Sequence, residues 1–182
     1  LGMIVDQADR CKRIVAGLLN FARQNKAVMQ STDLTRLVDR AIKTAVTDDR
    51  ITVRVEHEMA DPLAELDRDQ IVQVLTNLVS NACAAMPGGG TLTVKTGGDE
   101  QKVTLTVSDT GVGIPRENLK KIFEPFFTTK QIGKGTGLGL AMVYGIVKMH
   151  RGDIRVESNA DPAGGPTGST FTVILPRRHG EE

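Results

Sequence analysis

The sequence predicts an α+β domain preceded by a coiled-coil-like helix. Apolar residues recur at helical spacing in some segments and alternate with period two in others, and glycine- and proline-rich punctuation separates them. The first segment shows the tighter seam, with Leu1, Ile4, Ala8, Cys11, Val15, Leu18 and Ala22 at alternating intervals of three and four. A chain of 182 residues is long enough to bury about 70% of its unfolded surface, so a real core is expected.

Composition narrows the function classes. A net charge of +1, from 23 basic and 22 acidic residues, gives no field of one sign to hold nucleic acid or an anionic membrane, so any phosphate binding has to be local. Cys11 and Cys83 sit inside apolar helical patterns and read as small core residues of a reducing compartment. No apolar run reaches membrane-spanning length and no signal-peptide pattern opens the chain, so a soluble, cytoplasmic piece is expected. The start on Leu1 reads as part of a longer protein.

Taken in order, residues 1–26 form the seam helix, which wants a partner helix and favours a dimer. Residues 27–31 read as a linker. Thr32 or Asp33 can cap a helix with the apolar face Leu34, Leu37, Val38, Ala41, Ile42 and Ala45. Ile51 to His57 alternates as a half-buried strand, with His57 a surface position. Asp67 caps a long helix through Ile71, Val74, Leu78, Val79 and Ala85 that ends at Pro87 and the glycines beyond it. On that helix Asn77 and Asn81 lie one turn apart beside the apolar stripe. Their amides either bond a neighbouring helix or face a pocket holding a hard cation such as Mg²⁺.

Residues 91–96 and 102–108 read as a hairpin. Its second strand ends in Asp109-Thr110-Gly111-Val112-Gly113, an acceptor at a sheet edge followed by residues without side chains that would let a flat ligand approach. A tight turn would have the same composition. Pro115 suits the first turn of a short helix. Phe123, Phe126 and Phe127, three of the five phenylalanines, then stand beside a Gly- and Lys-bearing segment and suggest a mobile lid with hydrophobic anchors. Gly135-Thr136-Gly137-Leu138-Gly139 opens a helix from Leu140 to His150, and such a start attracts phosphates. His150 is explained by the helix dipole and a glycine cap. Strands follow at 153–158 and 169–175, and the chain from Pro176 reads as a frayed polar tail.

The order Asn77…Asn81, Asp109-x-Gly111-x-Gly113, the Phe/Pro/Phe segment, the glycine run at 135–139 and Gly168-Ser169-Thr170-Phe171 resembles the ATP-binding domain of sensor histidine kinases of two-component systems. The wording around Asn81 and Phe126-Phe127-Thr128-Thr129-Lys130 is most similar to the nitrogen-regulation and oxygen-sensing subgroup, and residues 13–22 are similar to the second helix of the dimerisation bundle. The resemblance implies a Bergerat α/β sandwich over residues 32–178, a mixed, mostly antiparallel sheet covered by helices, with a tail at 179–182. It implies ATP and Mg²⁺ as cofactors. Asp109 would accept from the adenine amine, while Gly111 and Gly113 let base and sugar approach. Asn81 would ligate Mg²⁺ with Asn77 in support. Gly135, Thr136, Gly137, Leu138 and Gly139 would hold the phosphate tail, Ser169 or Thr170 would complete the base contact, and Lys130 or Lys134 would reach the γ-phosphate.

The implied reaction is phosphoryl transfer, with Asn77 and Lys130 assisting, to a histidine on a helix before Leu1. A response-regulator receiver domain would be the next partner. His57, His150 and His179 lack the acceptor's context. Ala84 stands where many relatives carry a basic residue, so positive charge has to come from elsewhere. A hydrolytic ATPase of the same fold and a nucleotide-dependent binding module are the rival readings.

Overall fold

The computed structural model describes residues 26–129 and 135–178. The seam helix with Cys11, the lid lysines Lys130 and Lys134, and the tail 179–182 lie outside the described residues.

Strand β1 (Gln30–Asp33) pairs antiparallel with β3 (Leu63–Leu66) in a small two-stranded sheet. The linker read at 27–31 therefore includes the first residues of a strand. The polar run Gln-Ser-Thr-Asp has no alternation to announce it, and the strand exists because β3 pairs with it. Between these strands, α1 (Leu34–Ala45) is capped by Asp33, whose carboxylate accepts the Arg36 N–H at 3.0 Å. The edge strand β2 (Ile51–Glu58) follows.

Helix α2 (Arg68–Ala85) is capped by Asp67 and buries Ile71, Val74, Leu75, Leu78, Val79 and Ala82, the stripe the spacing predicted. Hairpin β4 (Gly90–Gly98) and β5 (Lys102–Asp109) leads through a 3₁₀ turn at Arg116–Asn118 toward α3 (Gly139–Met149). Strands β6 (Asp153–Asn159) and β7 (Gly168–Pro176) end the domain. The main sheet runs β2-β4-β5-β7-β6 and is antiparallel except for β2 beside β4. It is the mixed, mostly antiparallel sheet that was expected.

Alternation decides which sheet face is covered. Leu92 and Val94 on β4, Val103, Leu105 and Val107 on β5, and Phe171, Val173 and Leu175 on β7 are buried in one core with the apolar stripes of the helices. Helix α2 is central and packs on α1, α3 and β5.

His57 keeps the exposed position read for it, whereas His150, Arg151 and Arg177 differ from their sequence reading. His57 lies on the covered face at the edge of the sheet, with Nδ1 2.7 Å from the Thr96 hydroxyl and Nε2 3.1 Å from Asp39, and so ties β2 to α1. His150 is fully buried: Nδ1–H donates to Ile146 O at 2.9 Å and Nε2 accepts the Asp67 N–H at 3.1 Å. It joins the end of α3 to the start of α2. The cap beyond it is a Schellman motif in which Arg151, not a glycine, takes the left-handed position at φ 55°, with Arg151 N–H to Lys148 O and Gly152 N–H to Val147 O. The tail expected to fray from Pro176 is ordered there: Pro176 ends β7 and Arg177 is 6% exposed. Its guanidinium donates to Asp99 O, Asp61 O and Leu63 O, so the chain end clamps the hairpin loop to β3.

Candidate functional site

A cavity of about 450 Å³ opens between α2, α3 and the ends of β5 and β7. Its base follows from strand register. The covered row of β5 runs Val103, Leu105, Val107 and then Asp109; that of β7 begins with Ser169 before Phe171 and Val173; that of β6 runs Ile154, Val156 and then Ser158. Asp109 pairs with Ser169 and Ser169 with Ser158, so three apolar rows end in polar side chains at one edge of the sheet.

The Asp109 carboxylate accepts the Gly111 N–H at 2.8 Å. Burial raises its pKa above the ordinary carboxylate value, and the Gly111 and Ser169 amides hold that rise back. A half-buried carboxylate with spare acceptor capacity favours a ligand that presents N–H donors.

On α2, Asn77 and Asn81 both line the cavity. The Asn77 amide nitrogen is buried with no hydrogen-bond partner, and its oxygen lies 3.4 Å from where a β-carbon on Gly139 would sit. A buried donor left unpaired is costly unless a bound group supplies the acceptor. Gly135, Thr136, Gly137 and Gly139 line the same cavity at the start of α3. Gly137 adopts φ 68°, and a β-carbon there would overlap the Phe126 backbone. Leu138 does not line the cavity. It is a buried core residue whose N–H donates to Thr136 Oγ1 at 3.3 Å.

Two other pairs of expected residues are divided, the first by strand alternation and the second within the turn after β5. Ser169 lines the cavity, whereas Thr170 is on the opposite face of β7, its hydroxyl 2.9 Å from Ser108. Gly113 lines the cavity and Gly111 does not. Both glycines are demanded by the protein itself: a β-carbon on Gly111 would overlap Ala85 O, and one on Gly113, at φ 74°, would overlap Asn159 O. The phenylalanines also divide. Phe123 packs edge-on against Phe171 with centroids 6.5 Å apart and Phe127 lines the cavity, but Phe126 is 54% exposed at φ 67°, its N–H bonded to Gly137 O at 2.9 Å. Phe126 is thus a backbone staple between lid and glycine loop rather than an apolar anchor.

Sequence reasoning missed Ser158, and its only signal was a polar residue at the inner end of an alternating row. Among the described residues that line the cavity, Asp109 is the one charged side chain. None of them supplies positive charge.

A sheet covered on one face, a half-buried carboxylate on a strand end and a glycine-rich helix start define a nucleotide-binding ATPase domain of the Bergerat type. Residues 66–179 match the family described as histidine kinase-, DNA gyrase B-, and HSP90-like ATPase, and the chain belongs to it. It is similar to the sensor kinase CckA of Brucella abortus (strain 2308), at 38% identity over 96% of this chain and 20% of that protein. It is also similar to the sensor histidine kinase ZraS of Escherichia coli (strain K12), at 36% identity over 96% of this chain and 37% of that one. Among solved structures, the mycobacterial sensor histidine kinase MprB superposes with a TM-score of 0.71 at 31% identity, covering 83% of this chain and 99% of that chain. The histidine kinase ThkA in complex with the response regulator protein TrrA superposes with a TM-score of 0.75 at 28% identity, covering 97% of this chain and 50% of that one. The chain spans 20% to 37% of the length of the two curated relatives named here.

Proposed function

We propose that this domain binds Mg-ATP and transfers the γ-phosphoryl group to a histidine on a helix of the dimerisation domain, for relay to an aspartate of a response regulator. The observation that carries the reading is the unpartnered amide nitrogen of Asn77, buried in the cavity that also holds the Asp109 carboxylate. One group calls for an acceptor such as a phosphate oxygen, and the other for a donor such as the adenine amine. Guanine presents a carbonyl where adenine presents that amine, so Asp109 favours ATP over GTP.

Among the described residues no three His, Cys, Asp or Glu side chains gather as a metal cage. Amide oxygens completed by phosphates and water suit Mg²⁺, which is bound in that way more often than by all-protein sites. Asn81 would hold it, with Asn77 beside it, and when bound it would neutralise charge on the phosphates. The chain's own residues position the reactants: Asp109 and Ser169 fix the base, and Gly137 and Gly139 leave backbone N–H groups for the phosphates, while Lys130 or Lys134 would supply positive charge to the γ-phosphate. The histidine ring nitrogen bonds to the γ-phosphorus as the bond to the β,γ-bridging oxygen breaks, and ADP leaves.

The similarity to ThkA, solved with a response regulator, supports the relay partner. The apolar seam at alternating intervals of three and four in residues 1–22 supports a homodimer through the N-terminal helix. Among the described residues no helix is long and apolar enough to cross a membrane. Hydrolysis is disfavoured because the Asn77 amide cannot serve as a general base at neutral pH. The test mixes this domain, γ-labelled ATP and a separate polypeptide bearing the phosphoacceptor helix. Acid-labile label on the histidine supports the proposal. An unlabelled helix, or fast ATP turnover by the domain alone that vanishes in Asn77→Ala, would overturn it.

A further inference from the structure

Ser158 belongs to none of the motifs that mark the site, yet its hydroxyl meets three groups at the base of the cavity. It accepts the Ile114 N–H at 2.7 Å, donates to Gly168 O at 2.8 Å, and lies 2.8 Å from the Ser169 hydroxyl. A serine hydroxyl has one proton and two lone pairs. Gly168 O can only accept and the Ile114 N–H can only donate, so Ser158's proton goes to Gly168 and one lone pair is taken. The remaining lone pair faces Ser169, and Ser169 has to donate into it. With its proton committed there, Ser169 presents only lone pairs to the cavity it lines. Ser169 pairs in register with Asp109, so two acceptors stand side by side.

We infer that Ser158 is a positioning residue for base selection: by fixing the Ser169 hydroxyl as an acceptor beside Asp109, it builds a two-acceptor reader for an exocyclic amine. An –NH₂ group carries two protons and satisfies both acceptors, whereas a purine with a carbonyl there meets both lone-pair surfaces. The bond to Ile114 N–H also holds the turn after Gly113, so the same hydroxyl aligns the two segments that flank the base. This inference rests on the nucleotide-binding reading above.

The test measures ATP and GTP dissociation constants by calorimetry and reads their ratio. Ser158→Ala frees the Ser169 proton to turn toward the ligand, and the preference for ATP over GTP should fall about tenfold, the weight of one ordinary hydrogen bond. Ser158→Thr keeps the hydroxyl and should keep the ratio. Because Ser158 acts through Ser169, Ser169→Ala should lower the ratio as well, and the double variant should fall no further than Ser169→Ala alone. An unchanged ratio in Ser158→Ala, whatever happens to ATP affinity, or additive losses in the double variant, would overturn the inference. Should Ser158→Ala fail to fold, an unchanged ratio in Ser169→Ala would overturn it equally. A wild-type domain that binds neither nucleotide would instead overturn the nucleotide-binding reading itself.

Discussion

Asp109 carries its charge against the preference of its surroundings. The folded state binds the carboxyl proton more tightly than the unfolded chain does, since burial raises the pKa above 3.8. Stability therefore falls as pH rises between that value and the raised one, and the loss persists at neutral pH. Asp109→Asn removes the desolvated charge while leaving an oxygen to accept the Gly111 N–H. Its melting temperature at pH 7 should not drop below wild type, whereas its affinity for ATP should fall by about 1.5–3 kcal/mol, the weight of a charge-assisted bond. Scanning calorimetry and titration on one sample check both halves, and unchanged ATP binding would remove Asp109 from the base contact. For wild type the same shift predicts that acidification weakens ATP binding sooner than an ordinary carboxylate would allow, readable as a pH profile of the dissociation constant that Asp109→Asn flattens. Gly113 is a different kind of constraint. Its φ of 74° and its approach to Asn159 O leave no room for a β-carbon, so Gly113→Ala should lose at least about 1–3 kcal/mol of stability, measured by urea denaturation.

At the scale of elements, the main-sheet strands and the three helices were legible because each carries its own periodicity. Arg68–Ala85 begins at the Asp67 cap read from sequence, and Leu34–Ala45 at Asp33, one of the two caps that the sequence left open. What escaped was whatever depends on a distant partner. At four residues each, polar Gln-Ser-Thr-Asp and Leu-Ala-Glu-Leu, β1 and β3 are too short to show a period, and their register comes from contact across the chain. Arg177 looked like tail because nothing local tells a buried guanidinium from a solvated one. Its partners Asp61, Leu63 and Asp99 are far away in sequence and offer three backbone carbonyls, which leave no trace in side-chain pattern, with the Asp61 carboxylate, 3.4 Å away, as a side-chain partner. Arg177→Met keeps most of the stem but leaves those carbonyls unpaired. It should cost about 3 kcal/mol or more, several times the effect of an ordinary surface change. A urea midpoint within error of wild type would show that the clamp is dispensable.

The whole molecule carries 23 positive and 22 negative charges, a net charge of +1, so long-range attraction does little to gather an anionic ligand. The cavity repeats this locally, since the described lining offers one charge and it is negative. In the site, the glycine run, the asparagine pair and Asp109 were legible from residue type and order. The separation of Ser169 from Thr170 was not, because a one-residue step reverses the face and only the register of β7 on β5 fixes it; that of Gly137 from Leu138 arises in the turn before α3, where Gly137 takes φ 68° against the Phe126 backbone. Ala84 lines the cavity one turn beyond Asn81, and among the described lining residues no side chain is cationic. If the phosphates lack a permanent partner there, supplying one should help the triphosphate and leave the nucleoside alone. Ala84→Lys is then expected to tighten ATP by about 1 kcal/mol, roughly fivefold, at low salt, with the gain shrinking as ionic strength rises because the side chain sits at the exposed mouth. Adenosine affinity should not move. A variant that gains equally for ATP and adenosine would mean that the new stem merely packs against the base, and that residue 84 is not beside the phosphates.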